Sequence, residues 1–136
     1  MAVSHYNRTI AAAFANAVKA AVDGGSGAGL IKIYTSPMPA DTTVGITTQT
    51  LLGTCTCTDP CGSESGGTLT FSAITQDSAA DNSGVAVWAR VTDSAGVVVK
   101  DHDITVSGGG GALQMVSTTI VAGGPIAFTS LTETLP

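Results

Sequence analysis

From Leu30 onward the chain is a succession of short β-prone runs, each closed by a turn signal after roughly ten residues. That rhythm constrains the fold more than any other feature. LIKIYT at 30–35 alternates and ends at Ser36-Pro37. Residues 41–48 are polar and read as a loop or a ragged edge strand. Residues 49–58 form a strand that stops at Asp59-Pro60, and residues 67–75 set Leu69, Phe71 and Ala73 on one face. After the loop QDSAADNSG comes the apolar run 85–92, the hairpin turn Asp93–Gly96 and a return strand over 97–106. Gly108–Gly111 reads as a flexible hairpin tip. Two late segments, 112–121 and 126–135, are split by Gly123-Gly124-Pro125. Seven or so such segments predict an all-β fold, a single antiparallel β-sandwich or small barrel. Helices do not alternate with strands, which excludes a doubly wound α/β fold, and no fixed period marks a solenoid.

One helix precedes the strands. Residues 7–23 are rich in alanine, the strongest helix former, with Asn7 or Ser4 available as a cap. Ile10, Phe14, Ala17 and Ala21 recur at spacings of three and four and line one apolar stripe. Gly24 and Gly25 stop the helix, and GGSGAG over 24–29 reads as a flexible connector. The expected organisation is therefore a helical arm at 1–23, a Gly-rich connector at 24–29 and a β-domain at 30–136. The arm is too short to be stable alone, so it must dock on its own β-domain or on a neighbour. Ile10, Phe14 and the nearby Tyr6 are the candidate partner-docking residues.

Charge bears on function. Of 136 residues, 43% are hydrophobic and only 11% charged, with a net charge of −5. Arg8, Lys19, Lys32, Arg90 and Lys100 are scattered, so no basic patch faces nucleic acid. No apolar run approaches the ~20 residues of a membrane span, and Asn16 and Lys19 break the N-terminal one. That run reads as mature helix rather than signal peptide, which implies synthesis in a reducing cytoplasm without disulfides.

All three cysteines lie in CTCTDPC, residues 55–61. On a strand Cys55 and Cys57 share one face while Thr54, Thr56 and Thr58 take the other. A zinc site needs four ligands and commonly a C-x2–4-C knuckle, and this spacing is C-x-C-x3-C with His5 and His102 far off. The cysteines therefore read as core packing, with the placement of Cys61, past the turn, left open between core and surface.

The remaining constellations are weak. Asp101-His102-Asp103 puts the carboxylates on one strand face and the imidazole on the other, as a solvated edge strand would. Asp77…Gly84 lacks the regular oxygen ligands of a calcium loop and reads as Asx turns. Ser63–Gly67 is not a nucleophile elbow, and Gly108–Gly111 has no lysine or following helix to cradle phosphate. Trp88 is expected in the core with its N–H on a neighbouring carbonyl, and Arg90, on Trp88's face, is a snorkelled edge residue or an acid's partner. Nothing here assembles an enzyme, and no cofactor or metal is expected.

Taken together, LIKIYTSPMPA, TLLGTCTCTDPCG, the long run from Gly66 to Asp101 and the finish STTIVAGGPIAFTSLTETLP resemble small virion structural proteins of tailed bacteriophages. The resemblance covers nearly the whole chain. Cys55 and Cys57 stand where that family has apolar residues. It implies a jelly-roll-like sandwich acting as a capsid decoration (cement) protein on the virion exterior, with the major capsid protein and copies of itself, as dimer or trimer, for partners. Alternatives are a neck, tail or head-fibre component, or a module gripping host-surface carbohydrate.

Overall fold

The computed structural model of this protein describes residues 5–128 and 130–134. Ser4, the alternative helix cap, and Leu135, the expected end of the last strand, lie outside the described residues. Helix α1 spans Arg8–Val22, and Asn7 is its cap, with Oδ1 accepting the Thr9 N–H at 2.8 Å. Asp23 closes the other end, its N–H donating to the Lys19 carbonyl while that of Gly24 donates to the Ala21 carbonyl. Ten strands follow: β1 (Leu30–Tyr34), β2 (Leu51–Thr56), β3 (Gly62–Ser65), β4 (Thr68–Phe71), β5 (Gly84–Val85), β6 (Trp88–Thr92), β7 (Val98–Val106), β8 (Leu113–Met115), β9 (Thr119–Ile120) and β10 (Ser130–Thr134).

Eight strands make one sheet in the order β2-β1-β6-β7-β8-β10-β4-β3, and β5 pairs with β9 apart from it. The sheet curls, so residues near both of its ends, such as Cys55 of β2 and Leu69 of β4, share one apolar cluster. A Thr56–Thr75 bridge ties the β2 edge to the segment after β4. The protein is thus a largely β fold with one helix.

Four expectations need correcting. The sheet is mixed rather than antiparallel, because β7 and β8 run parallel, Ile104 opposite Leu113. Gly108–Gly111 is therefore not a hairpin tip. Gly108 and Gly110 take φ of 85° and 86°, and Thr105 Oγ1 and Asp103 Oδ1 accept the Gly111 and Ala112 N–H groups. Those side chains pull the chain back alongside β7, which is how a short segment achieves what normally needs about a dozen residues. The run 85–92 divides, since Ala86 donates to Thr118 while Val87 donates to Tyr34, sending the two halves to different sheets. The connector is held rather than loose, for Gly27 N–H donates to Ser94 Oγ and the Gly29 carbonyl accepts from Cys57.

The helix docks on its own sheet. It packs against β3, β4, β7 and β10, but through Ala11, Ala15 and Val22, with Val18 beside them. The stripe Ile10, Phe14, Ala17 and Ala21 is not the sheet-facing one: Ile10, Ala17 and Ala21 are exposed and Phe14 is half-buried. Alanine at both stripes made the two faces indistinguishable by hydrophobicity, and the smaller pair of Ala11 and Ala15 wins because Gly67 leaves just the room that Ala11 occupies.

Candidate functional site

Alternation in β6 sends Ala89 and Val91 into the core and Trp88 and Arg90 to the opposite, outer face. Trp88 is fully buried there, outside the main cluster. Its Nε1 donates to the Thr35 carbonyl at 2.9 Å, and Tyr34 stacks on it at 4.8 Å between centroids. Arg90 lies over the same ring at 5.3 Å and grips Asp101 of β7 with both prongs, at 2.7 and 2.9 Å. Its Nη2 also donates to the Val44 carbonyl, which ties loop 36–50 to the sheet. The hydrogen bonds to Asp101 raise Arg90 above its ordinary pKa despite burial, so it stays charged. Loop 36–50 is further fastened by Gln49 to the Pro37 carbonyl and by Asp41 to Thr43, and it presents Met38, Val44 and Ile46 to solvent.

The inner face carries the second cluster. Asp101-His102-Asp103 is not an edge strand, because β7 lies between β6 and β8. Asp101 turns outward to Arg90 and His102 inward, where its Nε2 stands 2.7 Å from Glu133 Oε1 of β10. The other carboxylate oxygen accepts from Lys100 Nζ at 2.5 Å. No other partner reaches Oε1 among the described residues, so its satisfaction depends on a proton at His102 Nε2. Burial pushes Glu133 up, but the hydrogen bonds and charges of His102 and Lys100 outweigh it, leaving the carboxyl below its usual range. An imidazole–carboxylate pair is a base-activating unit elsewhere, but these two side chains are 2% and 4% exposed, sealed from any substrate. The cluster holds β7 to β10. Sequence reasoning missed it because the acid sits far along the chain from the histidine, and nothing in TLTETLP singles out Glu133.

The cysteines form the third group. All three are buried and free, and all join the core cluster, which settles the open placement of Cys61 as interior. Cys61 is drawn in because its N–H donates to Asp23 Oδ1 at 2.8 Å, fixing the Asp59-Pro60 turn against the end of α1. Burial pushes Cys55 and Cys57 up to about 11 and Cys61 to about 12, which keeps them as thiols. Among the described residues no group of three or more His, Cys, Asp or Glu side chains has the arrangement of a metal site. In the loop after β4, Asp77 Oδ1 accepts from Ala79 as an Asx turn, and Oδ2 accepts the Thr54 N–H at the β2 edge.

Two surface concavities among the described residues are lined without charged side chains. The larger, about 410 Å3, lies where β4 and β10 part, between Phe71, Ile74, Phe128 and Leu131. The smaller, about 210 Å3, is lined by Met115, Val116, Ile120 and Pro125. No titratable side chain lines either one. Exposed apolar side chains lie instead on loop 36–50 (Met38, Val44 and Ile46), around β5 and β9 (Val85, Val116 and Val121), at the start of α1 (Tyr6 and Ile10) and at the ends of β7 (Val97, Val98 and Val106). No described helix is long and apolar enough to cross a membrane. No family model, curated protein or solved structure matches the chain.

Proposed function

We propose that this protein is a structural virion component of a tailed bacteriophage, a decoration or cement protein that binds the outer face of the capsid and bridges neighbouring capsomers. The observation that carries this reading is the pairing of a sealed interior with apolar side chains on a charge-poor surface. The titratable clusters are locked inside as struts, while Met38, Val44, Ile46, Val85, Val116 and Val121 stand outside. Such side chains do adhesive rather than chemical work. Loop 36–50, tied down by Arg90 and Gln49, presents its apolar tip already ordered, which lowers the entropy lost on docking. The sequence resemblance to small virion proteins points the same way, and the jelly-roll-like sandwich it implies belongs to this proposal, with the two halves of the curled sheet as its facing layers.

Partners in this reading are the major capsid protein and further copies of the chain, on the virion exterior, without nucleic acid or membrane. The work is mechanical: a stiff β-body adds contact area at each capsomer junction, and symmetry repeats it. A carbohydrate-gripping module fits less well, since Trp88 is fully covered and Tyr34 nearly so, which leaves Tyr6 without a second exposed large ring beside it among the described residues. Quantitative mass spectrometry of purified particles tests the proposal. Copies in the hundreds per particle support a shell position, about six to twelve place the chain in the neck or tail, and none removes the reading.

A further inference from the structure

Helix α1 is apolar on two faces, and the sheet covers only one. At 100° per residue the exposed residues Ala20, Ala13, Ala17, Ile10 and Ala21 and the half-buried Phe14 form a continuous arc of about 120°. No polar or charged side chain interrupts it. The sheet-facing row, Ala11, Ala15, Val18 and Val22, is centred about 130° away, more than a third of a turn. A surface helix ordinarily gives its second face to charged residues. Here Ile10 remains 56% exposed beside Tyr6 at 46%.

The arrangement of the arc specifies what fits it. Ile10, Phe14, Ala17 and Ala21 are spaced four, three and four, the seam of a helix that meets another helix. That spacing reads the same in both directions. Laid antiparallel on a second copy, the seam sets Ile10 against Ala21 and Phe14 against Ala17, so each large side chain meets a small one. A parallel match would instead set Phe14 on Phe14 and Ala17 on Ala17, a bump beside a hole. Antiparallel pairing also opposes the two helix dipoles. The copies share a net charge of −5, and the arc is a charge-free surface on which they meet without opposing carboxylates.

We infer that two copies of this chain associate about a two-fold axis through the outer faces of their α1 helices, antiparallel, with Phe14 of each against Ala17 of the other. This specifies the self-association in the proposed function and rests on that reading only for its setting in a particle. Fifteen residues of helix span about 22 Å, a smaller contact than the ~1,200 Å2 or more of a standard stable interface, so the dimer dissociates on dilution.

Sedimentation equilibrium of the full chain from about 10 μM to about 1 mM reads the pairing directly. The expected mass rises from one chain to two. Ala17→Glu, at an exposed position that tolerates the change, is expected to weaken pairing at least tenfold while leaving the thermal melt in place. Phe14→Ala and Ala17→Phe are each expected to weaken it, and the double variant F14A/A17F to recover it, since the large and small partners have exchanged places. A single-chain mass throughout, a three-chain mass, undiminished pairing by Ala17→Glu, or a folded double variant that stays monomeric overturns the inference. Binding of the same samples to empty phage heads is scored separately, so a failed shell reading and a failed helix pairing are distinct results.

Discussion

His102 of β7 and Glu133 of β10 meet at 2.7 Å across an opening in the sheet. The strand between them, β8, begins pairing with β7 only at Ile104 and with β10 only at Leu131, so the ladder is missing beside Lys100 and His102. Side chains close that opening where backbone does not. The buried Glu133 carboxyl is tolerated because each of its oxygens has a partner, and its removal leaves His102 and Lys100 without theirs.

Glu133→Ala is therefore expected to lower stability by about 3 kcal/mol, read as a shift in the urea midpoint. Glu133→Gln keeps the shape and one acceptor, and is expected to cost about 1 to 2 kcal/mol.

The same cluster sets an acid limit. Glu133 titrates lower in the folded chain than its ordinary value of 4.5. A depressed carboxyl stabilises the fold above the unfolded pKa and loses that contribution as pH falls through the folded one. Wild-type stability is expected to fall below about pH 4.5, and the Glu133→Gln variant to show a shallower acid slope in urea melts at stepped pH.

Arg90→Lys keeps the charge but loses the fork that grips Asp101 and the donor to Val44. The expected cost is about 1 to 3 kcal/mol, accompanied by faster amide exchange in the loop around Val44. Unchanged protection there would show that the loop is held by other bonds.

The three thiols are expected to resist alkylation at neutral pH until the protein unfolds, then to react together, since burial both covers them and holds them protonated. A thiol-titration assay with and without denaturant reads this. Rapid labelling of the native chain at Cys61 would contradict its placement under the helix end.

Gly62→Ala is expected to be among the most damaging small changes. An added Cβ would fall 2.1 Å from the Thr70 carbonyl oxygen, which is backbone of the paired strand and has nowhere to go. A loss of about 2 kcal/mol or more in thermal or urea melts is expected.

Reading the residues in order recovered the helix, the Asp93–Gly96 turn and the inward pairing of Cys55 with Cys57, because each depends on periodicity or turn chemistry within a few residues. The same reading misplaced Asp101 and His102. Their alternation was right, but whether β7 is an edge or interior strand depends on β8 folding back along it, a consequence of hydrogen bonds that Thr105 and Asp103 accept from Gly111 and Ala112 and that no periodicity announces. The partnership of His102 with Glu133 was equally hidden, since neither neighbourhood advertises the other.

Local chemistry by itself determined that this chain is one helix followed by many short strands, poor in charge and with thiols suited to an interior. Backbone preferences and two- or 3.6-residue repeats act over a single element, so they can be read from neighbours. Only the tertiary structure decided which of the helix's two apolar faces is covered, which strands are parallel, and where each charge finds its counterpart. Those outcomes are settled by volume and distance between elements far apart in sequence, as where Gly67 admits Ala11 and Glu133 reaches His102.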